Sequence, residues 1–385
     1  MNSNWVILSL ICIILIYFIC KNTKNSMIGI NNGLNAEDVK LIRKYSPLLV
    51  FTKSEKYYPS NINYILANTV PLSNHPPNGY TATTKEIYNK FGEDLDYFHG
   101  FDGKDGRKKI NETQIYALVF PKVGKDGNPT ANSINELNKC KPDESVLKDK
   151  DFTIAYFIFY PFNLGKSIPL LFGKYYGNHV SDIESYLIDF KSGKPQTILI
   201  GFHEWDICVA WSPDTDLTSL GDKAKDCIKT KSFKKADDGG NESETGTHPI
   251  LYVALGSHGL NYESGRKYYK PAIGLNDYYG GDGEKLQTWK NNGTVVATYL
   301  DWNKTLKELK MVDDSSPWKD IRLHQIKRWG NTPFGCLPLG IEECRNNYGP
   351  HQIIHPGGLV KPETRNLGGY INKYYEQLGT QTCTP

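Results

Sequence analysis

Methionine is nearly missing from this chain, 3 in 385 residues, whereas Tyr (25), Gly (35) and Pro (21) are plentiful. That balance argues against long helices and for many short strands joined by turns. No long basic run or stacking-aromatic motif appears and the formal charge is only +3, so nucleic acid is not expected as a partner. The G-x-S-x-G elbow, the P-loop, the Rossmann glycine pattern, H-E-x-x-H and any cysteine pair with zinc spacing are all absent. The common hydrolase and nucleotide-enzyme mechanisms therefore lack support.

With 23% charged and 39% hydrophobic residues, the chain has the composition of one large or two ordinary globular domains. It opens on an apolar run, WVILSLICIILIYFIC at residues 5–20, just short of the length that comfortably spans a bilayer. MNSN before it has no basic residue and YFIC resembles no small-residue cleavage site, which favours an uncleaved single-pass anchor over a signal peptide. Residues 1–24 are read as this N-terminal membrane anchor, a transmembrane helix; 25–33 as a tether; 34–385 as a β-rich body. Lys21 and Lys24 behind the anchor favour a cytoplasmic body, whereas the even set Cys140, Cys208, Cys227, Cys336, Cys344 and Cys383 suits an oxidising lumen. The side of the membrane stays open.

Cys336 and Cys344 are the pair expected to bond in a lumenal body, and Cys208 within DICVAW reads as a buried strand thiol. Sequons at Asn111, Asn241, Asn292 and Asn303 are about as many as chance supplies. Glycosidase sensitivity at Asn111 or Asn303 would mark the body as lumenal.

Asn35 is placed to cap a short helix before a strand at 46–51. IYALVFPKV (115–123) and FTIAYFIFYPF (152–162) read as buried strands, SYLIDF-KSGK-TILIGF as a tight hairpin, and ICVAW and PILYVALG as further strands. Residues 229–247 have neither period nor core-formers and are expected to form a mobile surface loop. DWNKTLKELKMV (301–312) is the best later helix candidate.

GNHVSDIES (177–185) gathers His179, Asp182 and Glu184. A strand starting near Asp182 puts both carboxylates on one face, about 7 Å apart, closable by one hard cation or its water. His203 in GFHEWD and His258 in GSHGLNY each follow an apolar run at a strand end. GLNDYYGGDGEKLQTW adds Asp277, Asp282 and Glu284 among glycines. Taken singly, each of these is a solvated or turn-capping residue. Taken together, His179, Asp182, Glu184, His203, His258 and Asp277 form a candidate site for a divalent cation, Mg or Ca rather than Zn.

YSPLLVFTKSEKYYPSNI, YFIFYPFNLGK, GNHVSDIESYLIDFKSGKP, HPILYVALGSHGLNYESG and NDYYGGDGEKLQTW resemble, in this order over residues 40–358, the vacuolar protein sorting-associated protein 62 family. The resemblance implies a β-rich domain linked to vacuolar delivery, with no established enzyme activity. That family's central block reads G-[ND]-H-x-G-D-W-E-H; His179, Asp182 and Glu184 match it, while Ser181, Ile183 and Ser185 replace its Gly, Trp and last His. The block is also similar to the G-H-R-H-D-W-E heptapeptide of necrosis-inducing cytolysins, whose β-sandwich holds a divalent cation and docks on membrane glycosphingolipid. A serine, histidine and tyrosine that follow there are matched by Ser257, His258 and Tyr262.

The expectation is thus a mainly β, antiparallel, sandwich-like body with few short helices. It is read as a binding protein tethered through residues 5–20 in the endomembrane or vacuolar pathway or at a surface. Its partner would be a lipid headgroup, a glycan or a sorting-machinery protein. One alternative is a metal-dependent hydrolase with Glu184 or His258 as general base; another is a structural or envelope surface protein with a degenerate site.

Overall fold

The computed structural model describes residues 34–60, 70–72, 80–82, 113–122, 131–134, 145–167, 175–176, 179–202, 205–217, 227–270, 275–290, 293–303, 308–311, 334–336 and 344–346. The apolar run at 5–20 and its tether lie outside these residues. Among the described residues no helix is long and apolar enough to cross a membrane.

Helix α1 (Ala36–Lys44) begins as expected: the Asn35 side chain accepts the Asp38 N–H at 2.9 Å, and the Asp38 carboxylate accepts the Asn35 N–H at 3.0 Å. Glu37 and Asp38 in its first turn and Arg43 and Lys44 in its last complement the helix dipole. Asp38 does a second job. Its carboxylate, fully buried, also accepts the Ser145 hydroxyl and the N–H groups of Val146 and Leu147, each N–H at 3.2 Å, which clamps the helix start to that turn. At the other end Ile42 O accepts both the Tyr45 N–H at 3.2 Å and the Tyr156 hydroxyl at 2.7 Å, which ties the last turn to the Tyr156 side chain.

In chain order the described strands are β1 (Leu48–Val50), β2 (Val70–Leu72), β3 (Tyr80–Ala82), β4 (Ile115–Pro121) and β5 (Phe152–Asn163). There follow β6 (Lys166–Ser167), β7 (Tyr175–Tyr176), β8 (His179–Lys191), β9 (Lys194–Phe202) and β10 (Trp205–Ala210). Next come β11 (Lys235–Ala236), β12 (His248–Val253), β13 (Leu260–Asn261), β14 (Gly265–Lys270) and β15 (Leu275–Tyr279). The last are β16 (Lys285–Gln287), β17 (Thr294–Asn303), β18 (Glu308–Met311), β19 (Phe334–Cys336) and β20 (Cys344–Asn346).

Seven strands form one sheet in the order β10-β9-β8-β5-β4-β17-β18, and β11-β12-β1-β16 form a second with β13 attached to β12. Alternate residues of the large sheet, among them Ile154, Tyr156 and Ile158 of β5 and Tyr186 and Ile188 of β8, share one apolar cluster with Leu49, Phe51, Leu251 and Val253 and with Val39 and Ile42 of α1. The other face of β5, with Thr153, Ala155, Phe157 and Phe159, is equally buried. Burial on both faces explains why these segments read as unbroken apolar runs rather than alternating ones.

The body is mainly β and mostly antiparallel, as expected, but β1 with β12 and β4 with β17 pair parallel. The hairpin at KSGK has Ser192 and Gly193 at its tip with φ of 48° and 71°, the signs of a type I′ turn.

Four expectations are corrected. Residues 301–303 and 308–311 are strand, not helix: β17 and β18 pair antiparallel there, Trp302 opposite Leu309, because ladder partners outweigh a weak helix propensity. β8 starts at His179, not Asp182, since β5 extends to Asn163 and pairs that far. Residues 229–247 do contain core-formers: Phe233 and Ala236 are buried, β11 pairs with β12, and His248 stacks on Trp289 at 3.5 Å. Cys208 is no free thiol; it bonds to Cys227, 19 residues on, where Val209 bridges Ile228. Cys336 and Cys344 face each other in the β19–β20 register.

Asp38→Ala leaves four donors without their acceptor, so urea unfolding should show a loss of about 2–4 kcal/mol. Replacing Cys208 and Cys227 by Ala should cost about 3 kcal/mol, the entropy of a loop near this length, and reductant should lower the melting temperature of the unmutated protein but not of the double variant.

Candidate functional site

Because β1 and β12 run parallel, Leu48 opposite Ile250 and Val50 opposite Tyr252, the segments leaving their C-terminal ends emerge at the same end of the sheet. The first carries Glu55. The second is the tight turn 254–259, closed by the Ala254 N–H to Gly259 O at 2.9 Å and the His258 N–H to Ala254 O at 3.0 Å. Glu55 joins them: Oε1 accepts the N–H groups of Lys56 and Tyr57, and Oε2 that of Gly256, each at 2.8 Å. Gly256 has a φ of +76°, and a Cβ there would meet the Leu164 Cβ at 3.0 Å. His258 holds a left-handed φ of +61°, a conformation costing a non-glycine residue about 1–2 kcal/mol.

The large sheet supplies the rest. On the core-facing side of β8, Phe190, Ile188 and Tyr186 give way to Glu184 and Asp182, which stand opposite Ile158 and Tyr160 of β5. The Tyr160 and His258 rings stack 3.9 Å apart with 7° between their planes. His258 is fully buried, with Nδ1 3.3 Å from Asp182 Oδ2 and Nε2 4.0 Å from Glu55 Oε1. Among the described residues neither His258 Nε2 nor the Tyr160 hydroxyl has a hydrogen-bond partner. Buried polar atoms left in this state cost stability, which makes them candidates for a missing ligand.

Burial, then the charges of Asp182 and Asp277, push the Glu184 carboxyl well above its ordinary value, so it keeps its proton into a range where an exposed glutamate is ionised. Burial and then Glu184, Glu55 and Asp182 push the Tyr160 hydroxyl up as well. Against these four carboxylates stands Lys166, whose Nζ meets Asp277 Oδ1 at 2.6 Å and donates to Ser257 Oγ at 2.9 Å and Leu255 O at 3.1 Å. Ser257 Oγ donates in turn to Asp277 Oδ1 at 2.6 Å.

Of the residues named from sequence, the fold gathers Asp182, Glu184, His258 and Asp277. Asp277 is committed to Lys166 and Ser257. His179 is the first residue of β8, opposite Asn163, and His203 lies outside the described residues. Asp282 and Glu284 serve another purpose: the Asp282 carboxylate accepts the Lys53 N–H at 3.1 Å, and Glu284 O accepts the Phe51 N–H at 2.9 Å, holding the glycine-rich turn against the end of β1. Gly283 permits this approach, since a Cβ there would lie 2.5 Å from the Thr52 carbonyl carbon. Sequence reasoning missed Glu55, Tyr160 and Lys166 as site residues. The signal was present, because all three fall inside blocks that carry the family resemblance, but no local spacing marks them as neighbours of GNHVSDIES.

Among the described residues no three His, Cys, Asp or Glu side chains are arranged to hold a metal ion together. The cluster does bring carboxylates of one sign into low dielectric beside an imidazole nitrogen that has no partner among the described residues.

Fold and site thus define a mainly β protein whose described residues build two principal sheets, with an acidic, histidine-centred cluster where those two meet. No protein-family model and no solved structure matches the chain. A Saccharomyces cerevisiae protein provisionally named vacuolar protein sorting-associated protein TDA6 is 25% identical to it over 233 residues, 57% of this chain and 45% of the yeast protein. The chain therefore matches under half the length of that relative.

In chelator-containing buffer the folded protein should lose stability as pH rises above about 4.5. Unfolded glutamate gives up its proton there while folded Glu184, with its value raised, retains it, so the folded state binds more protons through that window. Glu184→Gln should remove up to about 1.4 kcal/mol per pH unit from that slope, read from urea midpoints between pH 4.5 and 7.

Proposed function

We propose that this chain is a binding protein of the vacuolar sorting pathway, of the vacuolar protein sorting-associated protein 62 kind. It holds a divalent cation, Mg or Ca, in the cluster of Asp182, Glu184, Asp277 and His258. The observation that carries this reading is the charge imbalance: Glu55, Asp182, Glu184 and Asp277 converge on a buried imidazole with Lys166 as the ammonium among them. The cation would neutralise the carboxylates and give a membrane or partner group an anchoring point. Asp182 and Glu184 would hold it, with His258 Nε2 as the open nitrogen and His179, the first residue of β8, as the further ligand offered by the sequence. Glu55 fixes the turn bearing His258, and Lys166 keeps Asp277 in place.

The distant likeness to a vacuolar sorting-associated protein supports the pathway. The antiparallel sandwich-like body, the tether through residues 5–20 and a lipid headgroup, glycan or sorting-machinery partner belong to the same reading.

One observation favours a second reading. Asp182 on His258 Nδ1 leaves Nε2 free, the arrangement that orients a general base, and a cation beside it would supply an activated water for hydrolysis.

Adding calcium, magnesium or manganese to the chelator-stripped body should raise its melting temperature, by the equivalent of about 2.7 kcal/mol at a hundredfold excess over the dissociation constant. Asp182→Asn with Glu184→Gln should abolish the shift and leave the fold intact. No shift with any of these ions rejects the cation site. Cation-dependent turnover of phosphate or carboxylic ester substrates, lost in His258→Ala, would favour the second reading.

A further inference from the structure

A disulfide and an exposed sequon meet on one part of this fold. Cys208 of β10 bonds to Cys227, and such bonds persist where proteins fold in an oxidising compartment. The segment that follows Cys227 runs through buried Phe233 into β11 and then into the turn 237–240. That turn is closed by the Gly240 N–H to Asp237 O at 2.9 Å and by the Asp237 N–H to Asn241 O at 2.9 Å. It is docked on β16 and its neighbour, with Gln287 Nε2 donating to Gly239 O at 3.1 Å and Trp289 Nε1 donating to Asp238 O at 3.2 Å. Asn241-Glu242-Ser243, an N-x-S sequon, comes directly after it.

We propose that Asn241 is an N-glycosylation site and that the body therefore folds on the lumenal side of the secretory pathway. Asn241 is exposed and ends a rigid turn, so an oligosaccharide there projects into solvent while the backbone stays anchored. Its main chain is already tied, since the Asn241 N–H donates to Asp237 Oδ1 at 2.9 Å. Glycosylation replaces one of the two Nδ2 hydrogens and leaves the other to donate to Asp237.

In the transfer step Nδ2 attacks the anomeric carbon of a lipid-pyrophosphate-linked oligosaccharide. The bond from that carbon to the phosphate oxygen breaks, its electron pair leaves with the lipid pyrophosphate, and Nδ2 loses one proton. Asn303 offers no comparable place, because it sits in the β17–β18 ladder opposite Glu308. Asn111 and Asn292 lie outside the described residues. Of the two sequons among the described residues, Asn241 and not Asn303 is therefore the informative one.

The inference rests on the disulfide and the turn and not on the cation cluster, so its failure and that of the cation site are separable. The test is to express the full chain in a eukaryotic secretory host and digest it with peptide-N-glycosidase. Mass spectra of the peptide bearing residue 241 should show an oligosaccharide that the enzyme removes, converting Asn241 to Asp. Asn241→Gln and Ser243→Ala should each lower the mass by one oligosaccharide, and Ser243→Thr should keep it. Unmodified Asn241 in wild-type protein whose Cys208 and Cys227 are bonded overturns the proposal. So does wild-type protein in which both cysteines are free thiols.

Discussion

The parallel pairing of β1 with β12 is the constraint on which the site depends. Parallel neighbours send their chains out at the same end, and that alone brings Glu55 and the Ser257–His258 turn together across some 200 residues of sequence. Glu55 then accepts N–H groups from both segments and fixes the turn in which His258 is held at a left-handed φ. Antiparallel pairing at this position would put the two loops at opposite ends of the sheet. The rest of the cluster arrives because β5 and β8 pair as far as Asn163 and His179, carrying Tyr160, Asp182 and Glu184 out to the same end.

Two acidic positions on β8, the buried Asp189 and the half-buried Glu184, show what the cluster costs. Asp189 is fully buried, and burial pushes its carboxyl up, but Lys122 at 2.7 Å and Thr153 at 3.2 Å supply partners that favour the charged form. Glu184 is pushed up by burial and by two further carboxylates with no such compensation. A satisfied buried ion pair is consistent with a purely structural role, whereas a set of like charges around an imidazole lowers stability unless a ligand offsets it. His258 Nε2 and the Tyr160 hydroxyl, without partners among the described residues, belong to the same deficit.

The segment from Cys227 to His248 links the second sheet to β10. The disulfide ties its start, Phe233 and Ala236 bury along it, and His248 closes it with Nδ1 2.8 Å from Ser46 O. Few apolar residues are needed when a covalent bond and one buried imidazole hold the ends. Composition over this stretch is dominated by Lys, Gly, Thr, Asp, Glu and Ser, so a window-based reading sees only polarity.

Local features were legible from sequence because local physics decides them. The Asn35 cap, the SGK hairpin tip and the buried strands at 115–121 and 152–163 follow from side-chain oxygens, positive φ and apolar runs within a few residues. The shared face of Asp182 and Glu184 follows from the strand period of two. Pairing was not legible. The β17–β18 ladder displaced an expected helix, Cys227 rather than an apolar pocket took Cys208, and Lys166 claimed Asp277. Each outcome turns on a contact between residues far apart in the chain or on burial supplied by another element. The sequence by itself determined which residues carry charge, rings and turns; the tertiary structure decided which of them share a dry space, because distance and dielectric exist only once the sheets have packed.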